Sequence, residues 1–223
     1  MNLEKNSKTP FLLIPSTIPI YHITHIRNLE SIIEKGGLLC DNEMSRLDMN
    51  CQGIAYQSLK DRRASTTVLV SAQGTLADYV PFHFTNRSPM LGAIHMGRIE
   101  GYRGGQREVL HLVSSVEKVI REECRWCFTD GHAVEAPTDF FEDIRDLDKI
   151  DWEVIENWSW KNTMEDPDRK RRKQAEFLVH RFFPWHLIDS IGVHDEEISG
   201  IIKKIVEKQS HQPLIKIEKK WYY

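Results

Sequence analysis

Residues 19–39, PIYHITHIRNLESIIEKGGLL, change their period part-way along, and that change decides the class of fold. Up to Thr24 the residues alternate as in a strand, with Ile18, Ile20 and His22 on one side and Tyr21 and Ile23 on the other. Beyond it Leu29, Ile32 and Ile33 recur at helical spacing, with Thr24 placed to cap the helix and Gly36-Gly37 to stop it. A strand feeding straight into a helix, followed by further short strands, predicts an α+β domain.

Working outward, residues 41–53 (DNEMSRLDMNCQG) are polar and without period, and read as a loop long enough to close over a ligand. The segment 54–63, IAYQSLKDRR, ends in Arg62-Arg63 with only Asp61 as an acidic neighbour in sequence. DYVPFHFT (78–85) alternates again, and EVLHLVSS (108–115) is nearly continuous apolar sequence of the kind buried on both faces. Helix is expected around 139–158, strand at AEFLVH (175–180), and two last strands in IDSIGVHD (188–195) and PLIKIEKKWYY (213–223). Repeated βαβ units and a G-x-G-x-x-G loop are lacking, which argues against a Rossmann or P-loop nucleotide site.

A chain of 223 residues, 40% hydrophobic, fits one globular domain spanning 1–223. Its formal net charge of -3 excludes a protein that coats nucleic acid by global basicity, so any such site is a local patch. The start, MNLEKNSKTP, is polar and FLLIP is a short apolar run, so no export signal and no membrane span are expected and a cytoplasmic location follows. Cys40, Cys51, Cys124 and Cys127 are then expected as free thiols. Cys124 and Cys127 have C-x-x-C spacing near His132, but nothing in sequence completes a tetrahedron, and no metal is expected.

Several residues have the character of a site. His22 and Thr24, alternate residues at a strand end beside fresh helix N–H donors, suit the polar edge of a dinucleotide; on spacing alone a hydrogen-bonded core histidine is the commoner outcome. Glu176 interrupts an apolar strand, which requires that it be paired, employed or on an exposed edge. Arg63 has the fork geometry to clamp a pyrophosphate. The run Arg169-Lys170-Arg171-Arg172-Lys173 suits phosphates, although such runs are more often solvated faces.

Seven segments in order, PIYHITHIRNLESIIEKGGLL, IAYQSLKDRR, DYVPFHFTNRSPMLGAI, GGQREVLHLVSS, FTDGHAV, KQAEFLVHRFFPW and KKWYY, resemble the DarT family of bacterial DNA ADP-ribosyltransferase toxins over almost the whole chain. The resemblance implies an ADP-ribosyltransferase fold, a split mixed sheet related to the poly-ADP-ribose polymerases, that consumes NAD and needs no metal. It places catalysis on Glu176 and Arg63. The NAD contacts fall on His22, Ile23, Thr24, Ser31, Leu39 and Arg63, with 41–53 as the covering loop. DNA contacts fall on Arg87, Ser88, Pro89, Met90, Leu91, Gly92 and His132, and on Lys170, Arg171, Arg172, Lys173 and Gln174 in the approach to QAEF; a substrate-recognising turn-turn loop spans 132–176. The chain departs from the family at His83, where a tyrosine is usual, and at Gly92, where a larger residue is.

The implied reaction transfers ADP-ribose to a base of single-stranded DNA, thymine by closeness of match and guanine as the alternative. Charge develops on the ribose as its bond to nicotinamide breaks, so a carboxylate at Glu176 suits the chemistry. A paired base hides its reactive edge, so single-stranded or flipped DNA is required. The implied partner is a macrodomain antitoxin that removes the ADP-ribose. An NAD-dependent RNA 2′-phosphotransferase would share the fold but call for more basic residues, and a non-catalytic nucleic-acid binding module would tolerate loss of Glu176.

Overall fold

The computed structural model describes residues 17–223; the polar start and the FLLIP run read above lie outside the described residues. In chain order the elements are β1 Pro19–His25, α1 Leu29–Glu34, β2 Gly37–Leu39, α2 Asp41–Arg46, α3 Gln57–Ser65, β3 Tyr79–His83, α4 Pro89–His95, β4 Val109–Ser115, α5 Val116–Arg121, β5 Trp126–Thr129, β6 Phe140–Phe141, α6 Trp152–Glu156, α7 Arg169–Arg172, β7 Glu176–His180, β8 Phe182–Pro184, β9 Ser190–Val193, α8 Glu196–Val206 and β10 Leu214–Ile217.

The alternation of β1 sorts its residues between two cores. Ile18 and Ile20 join the main cluster with Leu110, Leu112 and Phe82, while Ile23 joins a second one with Leu91, Ile94 and Val109. Eight strands form one sheet in the order β10-β9-β4-β1-β3-β7-β5-β6, and β2 pairs with β8 separately. Gly37 belongs in β2 because a Cβ there would meet the Phe183 carbonyl oxygen at 2.1 Å.

The sheet is split between β1 and β3. β1 pairs with β4 from Pro19↔Ser115 to His25↔Val109, but with β3 only at Tyr21↔His83. Pro81 is the cause: it has no N–H to offer β1, and its carbonyl is taken by His22 Nδ1 at 2.8 Å. The two half-sheets part there, and a cavity opens at the parting.

Four expectations are corrected. The turn after β1 is a 3-10 segment, Ile26–Asn28, capped by His25 Nδ1 rather than by Thr24, whose Oγ1 accepts from Asn28 Nδ2 at 3.1 Å. Residues 41–46 are helix, with Asp41 and Glu43 in the first turn; none of its residues is buried, so no apolar period betrays it. The stretch 139–158 is not one helix, because Asp143 and Asp151 each cap a separate short turn and Ile150 between them is extended. Finally, β10 runs parallel to β9, so a crossover must join them, and α8 supplies it with Ile198, Ile202 and Val206 on its buried face; the last strand stops at Ile217.

Candidate active site

A cavity of about 800 Å³ lies where the half-sheets separate, within the range of small-molecule and cofactor sites. Glu176 opens β7, flanked in the sheet by β3 and β5, so it sits on a central strand and not on an exposed edge. It is 3% exposed and Arg63 7%. The partner that Arg63 lacks in local sequence is Glu176, whose Oε2 accepts from Arg63 Nη1 at 2.7 Å. Oε1 accepts from the Ala133 amide at 3.1 Å, and the Glu176 amide donates to Thr129 Oγ1, also at 3.1 Å. Burial alone would raise the Glu176 pKa, but the Arg63 charge, His132, His83 and the Arg63 hydrogen bond outweigh it and hold the carboxyl below its ordinary range. The site thus contains a dry, ionised carboxylate clamped from two sides.

His83 stands directly opposite Glu176 in the β3–β7 ladder, which sends both side chains to the same face. Burial pushes the His83 pKa down to about 4, so its imidazole is neutral near pH 7. His132 is shifted down as well, by burial foremost. Three buried polar atoms around the cavity, Arg63 Nη2, His83 Nδ1 and His132 Nδ1, have no hydrogen-bond partner among the described residues. Such atoms are costly to leave unpaired, so they mark where a polar ligand would be taken.

The other wall comes from β1 and α1. His22, Ile23, Thr24, Ser31 and Leu39 all line the cavity. A carbonyl can only accept, so the bond to Pro81 fixes the proton of His22 on Nδ1 and leaves Nε2 as an acceptor; burial, the largest cause, keeps the ring neutral. Met44, Met49, Asn50 and Cys51 close the cavity from the 41–53 side. That segment is pinned by Asn28, which accepts from the Gln52 amide at 2.7 Å and donates to its carbonyl at 3.1 Å. An ion pair between Lys60 and Asp41, at 3.4 Å, ties α3 to α2.

The residues assigned to DNA divide sharply. Pro89, Met90, His132, Lys170, Arg171 and Gln174 border the cavity. Leu91 is fully buried in the second core, Ser88 is 1% exposed and caps α4 by accepting from the Leu91 amide, and Gly92 packs against Trp160 and Tyr223. None of these three lines the cavity; they shape the segment. Arg87 lies between two rings, 4.4 Å from the Trp158 centroid and 4.2 Å from that of Tyr223. Lys173 is corrected outright: it is 2% exposed, and its ammonium donates to the carbonyls of Ile155 at 2.6 Å and Asn157 at 2.7 Å. Arg172 is engaged with Asp151 and Asp166, Arg171 with Asp168 and Asp130, and Arg169 with Asp166. The run is therefore mostly a set of internal clasps, and Lys170 alone within it has a side chain with neither an acidic partner nor a hydrogen bond to a carbonyl among the described residues.

A family model described as "ssDNA thymidine ADP-ribosyltransferase, DarT" matches residues 21–223. The chain belongs to the DarT family. A DNA ADP-ribosyl transferase of Thermus aquaticus is 41% identical over 214 residues, covering 95% of this chain and 92% of the relative. DarT of Thermus sp. 2.9, solved in complex with ADP-ribosylated ssDNA, superposes with a TM-score of 0.88 at 40% identity, over 94% of this chain and 98% of the other. The same protein solved with NAD+ gives 0.83 at 38% identity, over 94% and 99%. More distantly, a DNA ADP-ribosyl transferase-DNA ADP-ribosyl glycohydrolase fusion protein of Thermosipho africanus is 27% identical over 201 residues, which are 89% of this chain and 48% of the fusion. The split mixed sheet is accordingly the ADP-ribosyltransferase fold.

Reading the DarT motifs as motifs misses the residues that build the site from behind. Thr129 and Ala133 hold the glutamate backbone and carboxylate, and only the turn signal Asp130-Gly131 within FTDGHAV hints that the chain doubles back there. Asn28 and Lys173 give no sequence signal of these roles, since the groups they clasp, the Gln52 backbone and the carbonyls of Ile155 and Asn157, are brought to them by the fold.

Proposed function

We propose that the protein is an NAD-dependent mono-ADP-ribosyltransferase that modifies a base, thymine, in single-stranded DNA. The observation that carries this is the buried Arg63–Glu176 pair at a cavity where Arg63 Nη2, His83 Nδ1 and His132 Nδ1 have no hydrogen-bond partner among the described residues. The residues present fit NAD: the cavity has the size, and Arg63 Nη2 is an unspent charged donor suited to a phosphate. His22, Ile23, Thr24, Ser31, Leu39 and Arg63 would hold it, with His22 accepting at Nε2. When bound, NAD supplies an ADP-ribosyl group as its bond to nicotinamide breaks.

Glu176 is ionised before any reaction begins, so it is ready to hold a ribose hydroxyl and to oppose positive charge developing on the sugar. Arg63 keeps that carboxylate oriented and charged; its guanidinium acts by position and field. The 41–53 segment, tied down by Asn28 and Lys60, excludes water that would otherwise take the ADP-ribose. A base inside a duplex cannot present its edge to Glu176, which is why an unpaired strand is the substrate. Met90, His132 and Lys170 at the rim would receive it.

A second enzyme that strips ADP-ribose from DNA fits as partner, an antitoxin to this toxin; the relative that carries a DNA ADP-ribosyl glycohydrolase in the same chain supports this. The test is mass spectrometry of oligonucleotides after incubation with NAD, using single-stranded, duplex, thymine-free and guanine-free arms. The expected result is one added ADP-ribosyl group on single strands that contain thymine. Modification confined to guanine would overturn the base assignment, and no modification of any arm would overturn the activity.

A further inference from the structure

Trp158 is 65% exposed, an unusual position for so large an apolar ring. It is nevertheless held. The Arg87 guanidinium supports its inner face, Tyr223 supports Arg87 from the other side, and the Tyr223 hydroxyl reaches the carbonyls of Arg87 and Ser88, each at 3.3 Å. The backbone beneath Trp158 is clasped separately, by Lys173 on the carbonyls of Ile155 and Asn157.

Both supports are expensive. Arg87 Nε is buried with no partner among the described residues, and burial beside Arg87 and Arg169 pushes the Lys173 pKa down to about 8. Fold stability alone gives no reason to order an exposed tryptophan at such cost. The location does: Trp158 is two residues from Trp160, and Arg87 three from Met90, and both Trp160 and Met90 line the cavity.

We infer that the outer face of Trp158 is a stacking site for an unpaired nucleobase that flanks the base entering the cavity. The inference rests on the proposed function for the identity of the strand. A flat, rigid ring backed by a guanidinium stacks on any base, because every base has a π-face. The subsite thus adds affinity for single strands without reading sequence, and leaves selection of the base to the cavity.

The experiment is equilibrium binding of a fluorescein-labelled, thymine-containing single-stranded oligonucleotide, followed by anisotropy. Trp158→Ala is expected to raise Kd by roughly tenfold to a hundredfold, with unchanged melting temperature and an unchanged response to NAD. Trp158→Phe should recover most of the loss. An abasic residue at one position of the oligonucleotide should cost the wild type the same factor and cost Trp158→Ala nothing more. An unchanged Kd in Trp158→Ala, or an abasic penalty that multiplies with the substitution at every position, would overturn the inference. Because binding is read without turnover, failure of the stacking site and failure of the proposed transfer activity are distinguished by a parallel transfer assay.

Discussion

Arg63 and Glu176, 113 residues apart in sequence, are joined by a 2.7 Å hydrogen bond with both side chains buried. Neither charge tolerates the loss of the other, and truncating one member of such a pair typically costs about 3–5 kcal/mol. Glu176→Ala is therefore expected to lower the melting temperature as well as activity. Glu176→Gln keeps an oxygen for Arg63 and is the sharper probe. It should retain the rise in melting temperature with NAD while transferring ADP-ribose at least about a hundredfold more slowly. Wild-type turnover in Glu176→Gln would remove the carboxylate from the chemistry.

Buried histidines set the acid limit of stability. His111 is fully buried, with Nε2 2.9 Å from the Asn86 carbonyl, and burial pushes its pKa down to about 4, as it does that of His83. A pKa lower in the folded than in the unfolded chain means that the unfolded chain binds more protons in between. Stability is thus fully present above the ordinary value of 6.5 and is lost as pH falls toward about 4. Glu176, also held low, adds its loss at still lower pH. Urea midpoints compared at about pH 7 and about pH 5 should fall, each histidine contributing a slope of up to about 1.4 kcal/mol per pH unit. His111→Gln should flatten that slope, and a profile unaltered by the substitution would contradict the assignment.

The basic run separates into one unclasped lysine, which we propose meets DNA, and structural clasps. Lys170 is exposed at the cavity rim and lacks an acidic partner among the described residues, whereas Arg172 bridges Asp151 and Asp166. Lys170→Ala should weaken oligonucleotide binding and reduce its salt slope by about one, with little change in melting temperature. Arg172→Ala should lower the melting temperature and leave the salt slope alone. The opposite pairing of effects would place the phosphates on Arg172.

These contrasts show what was legible beforehand and why. The strands at 78–85, 108–115 and 175–180 are readable because burial on one or both faces writes a period into sequence, and Glu176 stands out as a charge inside one of them. Helix 41–46 is not, since it buries nothing and so carries no stripe. The composition of the 169–173 run is equally uninformative about its use. Its partners Asp130, Asp151 and the carbonyls of Ile155 and Asn157 are brought to it by the fold. Five adjacent positive charges look like a phosphate grip until those partners are known. The split of the sheet was implied by resemblance, but its local cause, Pro81 facing a strand it cannot pair with, is visible only when β1 and β3 are known to be neighbours.

His83 is placed opposite Glu176, at a position where the resemblance to the family leads to the expectation of a tyrosine. A phenol offers one oxygen at the end of a long ring, whereas a neutral imidazole offers a donor and an acceptor on adjacent sides of a shorter one. Nδ1 of His83 is buried without a partner among the described residues, so a ligand group must meet it or its desolvation is uncompensated. Thymine presents an N–H between two carbonyl oxygens, and guanine an N–H between a carbonyl oxygen and an amino group; either pattern suits a group able both to donate and to accept. His83→Phe keeps the ring and removes both functions. It should lower kcat/KM for the oligonucleotide by roughly tenfold to a hundredfold, leave the NAD-induced rise in melting temperature intact, and lose discrimination between thymine-only and guanine-only strands. His83→Gln, which retains a donor and an acceptor, should recover part of the rate. If His83→Phe instead raises the KM for NAD and leaves discrimination unchanged, His83 faces the dinucleotide and base selection lies elsewhere on the rim.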